Sequence, residues 1–152
     1  MVACCGRRFG LVASTTRIVA FSPLGSDSEL YRNLLEVERE FLDASMPGAG
    51  LAETFSKGTA GYDAHGFDPD EWRRHHQGGI TGFNPRELIA NGRSELTLRS
   101  GMAVGWNPSA AGFKVEDTTL VTATGAEPLG VDPAWPPILV GGRIRPAVLE
   151  LL

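Results

Sequence analysis

Apolar and β-branched residues dominate the stretch Phe9–Phe21 (FGLVASTTRIVAF), with no proline until Pro23, and this predicts one long strand. The period then changes. Leu30, Leu34, Val37 and Phe41 recur at helical spacing and fall on one face. Ser26-Asp-Ser-Glu29 stands before them with the spacing of a capping box, so the helix is expected from Ser26 to about Ser45. Met46-Pro47-Gly48-Ala-Gly50 ends it. A second helix is expected from about Leu51 to Ala64, with Leu51, Phe55 and Tyr62 on one side and Gly66 placed to terminate it.

After Asp68-Pro69-Asp70 the helical pattern stops. The His75-His76 segment and a long loop to Asn91-Gly92 come first. Strands are expected near Glu95–Arg99, Met102–Asn107 and Phe113–Thr122, the last closed by Gly125. A Pro-rich stretch, Asp132 to Pro137, precedes two short apolar segments, Ile138–Val140 and Val148–Leu152. A strand, two helices and a later set of antiparallel strands predict an α+β fold, with helices packed on one face of the sheet.

Bulk composition narrows the function classes. At 152 residues, with 42% hydrophobic and 21% charged positions, the chain is long and apolar enough for one domain with a core. A net charge of −4 gives no support to nucleic-acid binding or to an anionic membrane surface. No apolar run approaches the roughly 18 residues of a membrane span. Met-Val-Ala-Cys-Cys-Gly-Arg-Arg puts its charges after the apolar residues, the reverse of a secretory signal. Cys4 and Cys5 are adjacent and cannot staple distant segments, so reduced thiols in the cytoplasm are the plain reading. The chain holds neither a Gly-x-Ser-x-Gly elbow nor a phosphate-binding Gly-x-x-x-x-Gly-Lys loop.

Two separated motifs carry more information. One is Trp72-Arg-Arg-His75-His76-Gln-Gly78-Gly79, continuing to Arg86-Glu87; the other runs from Gly101-Met102 through Asn107-Pro108 to Glu116-Asp117-Thr118. In residues and order they resemble the second half of the pita-bread hydrolases: methionine aminopeptidase, aminopeptidase P, prolidase and creatinase. Glu127-Pro-Leu129 after Gly125 is most similar to the aminopeptidase P and creatinase branch. The resemblance covers about Phe9 to Leu152. It implies that residues 1–152 are a partial pita-bread domain, lacking the N-terminal domain and first catalytic half of full members. The chain is then a fragment, or a short paralogue that completes itself as a homodimer or with a partner supplying the other half.

The resemblance also implies a site, position by position. Active members bind two divalent metals (Mn, Co or Zn) through two aspartates, one histidine and two glutamates, and the metals activate a water. The second aspartate falls on Ser14 and the first near Ala3. The first glutamate falls on Asn107, whose single neutral carbonyl cannot bridge two cations. The second is present as Glu116. The histidine is His75 if Arg86-Glu87 keeps the creatinase register, and His76 if His-Gln-Gly-Gly is the guide. In a strand these two would face opposite ways. No metal cofactor is therefore expected.

Plainer roles stand beside these. The histidines can satisfy loop carbonyls, Arg86 and Glu87 can be a surface ion pair, and Trp106 can be core. Asn107 can anchor a hairpin, and Glu116 can be a buried carboxylate held by His75 or His76. The catalytic candidates are thus His75, His76 and Glu116, and the pocket candidates Arg86, Glu87, Trp106 and Asn107. Three functions follow from the resemblance: a metal-dependent Xaa-Pro aminopeptidase, a metal-free creatinase-like hydrolase of a small amide or amidine, and a catalytically deficient module that binds a peptide or small amide. The replaced ligands favour the third.

Overall fold

The computed structural model describes residues 1–151. In chain order the elements are β1 (Val2–Arg8), β2 (Leu11–Arg17), β3 (Val19–Ala20), α1 (Asp27–Ala44), α2 (Leu51–Ala64), a 3-10 turn (Glu71–Arg74), β4 (Gly78–Thr81), β5 (Leu88–Ile89) and β6 (Ala103–Trp106). There follow β7 (Ser109–Ala110), β8 (Phe113–Lys114), β9 (Glu116–Thr122), β10 (Gly125–Pro128), β11 (Pro137–Val140), β12 (Arg143–Pro146) and β13 (Leu149–Glu150).

The expected strand at Phe9–Phe21 is interrupted at Ile18, between β2 and β3, and its first two residues form a turn. Phe9 and Gly10 both take positive φ (51° and 86°) and form a two-residue hairpin turn. That turn brings β1 antiparallel onto β2 from Val2↔Arg17 to Arg8↔Leu11. The main sheet has the order β1-β2-β9-β6-β4-β5, with β10 also on β9. Strand β9 is its hub. One side pairs with β6 from Ala103↔Leu120 to Trp106↔Asp117. The other is divided: β2 takes Glu116 and Asp117, and β10 takes Thr119 to Thr122. Every pairing in this sheet is antiparallel, as the pattern predicted.

Helix α1 buries Leu34, Leu35, Val37, Phe41 and Leu42 against the sheet, and α2 buries Leu51, Phe55 and Tyr62. The capping box does not form. Ser26 already has helical dihedrals, its side chain caps nothing, and the turn Leu24–Ser26 accepts the first N–H groups instead. At the end of α2, Gly66 (φ 82°) permits the bond from Phe67 N to Tyr62 O at 2.9 Å, and the two rings meet edge to face.

Glu95–Arg99 is not a strand of the sheet. Its backbone bonds to the α1–α2 connection instead, with Leu51 N donating to Leu96 O and Leu98 N to Ala49 O. The tail folds as a β11–β12 hairpin, and β13 runs parallel to β3. Of the expected apolar segment Val148–Leu152, Leu152 lies outside the described residues. No described helix is long and apolar enough to cross a membrane.

Candidate functional site

Strand alternation sorts the motif residues onto two faces. Trp106 and Asp117 are paired neighbours. Trp106 faces the helices: it is fully buried, stacks on Phe41 at 4.7 Å between ring centroids, and donates from Nε1 to Ser45 Oγ at 2.8 Å. It lies in the core and not in a pocket. The next residue on β9, Glu116, therefore points to the opposite face, and Thr16 sits directly across from it on β2. Asn107 extends the β6 side of that row, its N–H donating to Gln77 O. Ser14 belongs to the same face, bonded to Thr118 through its backbone N–H (2.8 Å), with its Oγ 3.1 Å from Cys5 Sγ.

Two cations hold Glu116. Arg86 Nη2 donates to Oε1 at 2.7 Å and Lys114 Nζ lies 2.8 Å from Oε2. Burial alone would raise this carboxyl, but the bonds from Lys114 and Arg86 outweigh it and hold the group below its ordinary value. Glu116 is thus held by Arg86 and Lys114, not by the histidines. Arg86 reaches it from the connection between β4 and β5. Its guanidinium lies over Gly105, where an added Cβ would come within 2.9 Å of Nη1. That connection is fastened over the face by the bond from Val12 N to Gly82 O at 2.8 Å. Glu87, the neighbour of Arg86, is exposed and ties the loop internally by accepting from Asn84.

The histidines do not lie in a strand and do not diverge. The backbone leaves the 3-10 turn at His75, and β4 begins only at Gly78. The rings stack at 4.4 Å with 27° between planes. Both are pushed down from the ordinary imidazole value, His75 by burial and then by Lys114, His76 by burial and then by His75. Each is neutral at neutral pH. Buried atoms without a hydrogen-bond partner among the described residues include Thr16 Oγ1, Arg86 Nε, His75 Nδ1 and Asn107 Oδ1.

No protein-family model and no curated protein matches this chain. Solved structures do. Prolidase from Pyrococcus furiosus is 25% identical, with a TM-score of 0.71 over 84% of this chain and 39% of that one. X-Pro aminopeptidase from Thermotoga maritima MSB8 is 16% identical, with a TM-score of 0.74 over 98% of this chain and 40% of that one. The chain carries part of a pita-bread fold. It spans about two fifths of the length of those two structures. The N-terminal domain of the FACT complex subunit SPT16 from chickpea (Cicer arietinum) shares the fold at 16% identity and a TM-score of 0.64, over 83% of this chain and 33% of that one.

On this face the positions that the resemblance gives to metal ligands hold Ser14, Asn107 and Glu116. Both oxygens of Glu116 are engaged by side-chain cations, Ser14 and Asn107 are neutral, and Arg86 Nε is buried without a partner among the described residues. Among the described residues no three His, Cys, Asp or Glu side chains converge in a way that could hold a metal.

Proposed function

We propose that this chain, residues 1–152, is a member of the Xaa-Pro peptidase branch that has exchanged its metal chemistry for internal ion pairs, and that it works by binding a peptide or small amide, not by hydrolysing it. The observation that carries this reading is the pairing of Glu116 with Arg86 and Lys114. A carboxylate neutralised by two fixed cations has no charge left to hold a divalent ion. The two cysteines are free and exposed, which suits a reducing compartment, and we assign the chain to the cytoplasm. Strand β1 is exposed along its whole length and pairs on one side only. A second copy adding its own β1 there would complete the assembly.

The test is a thermal-shift titration with Mn²⁺, Co²⁺ and Zn²⁺ beside an assay on an Xaa-Pro dipeptide. A metal that binds the native state must raise the melting temperature. The expected result is no saturable rise and no turnover. A saturable rise with turnover that disappears in Glu116→Gln would instead establish the metallopeptidase. A second reading rests on the two neutral histidines, either of which could accept a proton in a metal-free, creatinase-like hydrolysis. Chelator-resistant turnover lost in His75→Ala or His76→Ala would establish that one.

A further inference from the structure

On the opposite side of the sheet the Pro-rich tail roofs a cavity of about 220 Å³. Its apolar walls are Val131, Pro136, Ile144, Pro146 and the ring of Trp135, which is held in place by its Nε1 bond to Ala147 O at 2.8 Å. Charged groups line the floor. Asp117 accepts from Thr15 Oγ1 (2.7 Å) and Arg17 Nη1 (2.9 Å) and lies 3.1 Å from Arg145 Nη2. Arg145 also makes a bidentate pair with Glu38. Asp117 is therefore saturated and Arg145 largely committed.

Arg17 is different. Its Nη1 makes the bonds to Thr16 O and Asp117, while its Nε and Nη2 donate to nothing among the described residues. The side chain is 18% exposed, and its Cζ lies 6.0 Å from the centroid of the Trp135 ring. One guanidinium edge with free N–H donors, beside a fixed aromatic ring and proline walls, is the chemistry that takes a carboxylate attached to an apolar body. The cavity is smaller than the roughly 300–1,000 Å³ that holds drug-sized molecules, so the occupant has one ring, not a peptide chain.

We propose that this cavity is a binding site for a small organic carboxylate with a flat apolar body, the carboxylate on Arg17 and the body against Trp135. The site lies on the helix side of β9 and does not depend on the reading of the Glu116 face.

The probe is 3-phenylpropionate, followed through the indole N–H resonance of Trp135, which Trp135→Phe assigns among the chain's three tryptophans. The expected result is a saturable shift with a Kd of about 1 mM or tighter, the range open to a ligand of this size. The neutral twin, 3-phenylpropanamide, should bind about tenfold more weakly, and Arg17→Gln should abolish the difference. Arg93→Gln, on an exposed loop, should bind as the unmodified chain does. The amine 3-phenylpropylamine tests whether the rim carboxylate of Asp132 governs the site instead. No shift of Trp135, an amide or amine that binds as well as the acid, or an Arg17→Gln variant that keeps the preference would each overturn the proposal. Should Arg17→Gln fail to fold, the comparison of acid, amide and amine on the unmodified chain decides alone.

Discussion

Arg86 and Glu116 stand 30 positions apart in sequence and meet at 2.7 Å, with 10% and 5% of their side-chain surfaces exposed. Removing one partner of so buried a pair leaves the other charge without compensation. Lys114 remains on Glu116, so the loss is smaller than for an isolated pair. Arg86→Ala should cost roughly 2–3 kcal/mol in urea unfolding. The double variant Arg86→Ala with Glu116→Gln should cost less than the sum of its parts, and simple additivity would mean that the two charges are not coupled.

The stacked histidines make stability depend on pH. Each has a folded-state value below that of a free imidazole, so the unfolded chain binds protons more readily as pH falls through about 6.5. Their contribution is complete above that pH and is lost on acidification. Glu116 is lowered too, and it acts in the same direction at lower pH. Its lowered carboxyl adds stability above about pH 4.3, lost as pH falls further. The melting temperature should therefore decline between pH 7 and 5. In His75→Asn with His76→Asn that decline should flatten, while the loss below pH 4.3 persists. An unchanged profile would show that the histidines do not carry it.

Gly58 tests the packing beneath the site. A Cβ there would fall 2.0 Å from Phe41 Cδ1, and Phe41 is the ring that supports Trp106. Alanine gains about 1 kcal/mol over glycine in a helix interior, yet overpacking of this kind typically costs about 1–3 kcal/mol. Gly58 is buried, and the Phe41 ring it would meet is fully buried and stacked on Trp106, which favours the upper end. Gly58→Ala should destabilise and weaken the near-ultraviolet circular dichroism of Trp106. Gly92→Ala, where an added Cβ meets nothing within 4 Å, should change stability by less than about 0.5 kcal/mol.

What the sequence disclosed depended on range. Both helices lie within a residue or two of where their periodicity put them, because amphipathic spacing is a local signal. Strand β1 was not legible: Val2–Arg8 is exposed on both faces and shows no alternation. The Glu95–Arg99 segment misled because its backbone bonds to the α1–α2 connection and not to the sheet. At the site, Ser14, Asn107 and Glu116 could be placed by motif order. Lys114 belongs to no motif that the chain shares with the pita-bread family, although it stands two positions before Glu116 and strand alternation puts both on one side. The partnership of Arg17 and Arg145 with Asp117, and of Arg145 with Glu38, joins residues that no local pattern links.

That last group yields the sharpest stability contrast. Arg145 and Glu38 are 3% and 1% exposed at the side chain and share two bonds of 2.6 Å. Burial pushes the Glu38 carboxyl up, and Arg145 is the main force opposing that rise. Arg145→Met would leave the carboxyl buried without its partner and weaken the hold on Asp117, at a cost of about 3–5 kcal/mol. Joining Glu38→Leu to it should recover most of that loss, because apolar replacements of similar volume need no counter-ion. The single variant also has a pH signature. Its Glu38 binds a proton more readily folded than unfolded, so Arg145→Met should offset part of the histidine-driven decline from pH 7 to about pH 5. The double variant lacks that carboxyl and should not. Urea unfolding of both variants at the two pH values would decide it, and a double variant no more stable than Arg145→Met would show that the pair does more than neutralise itself.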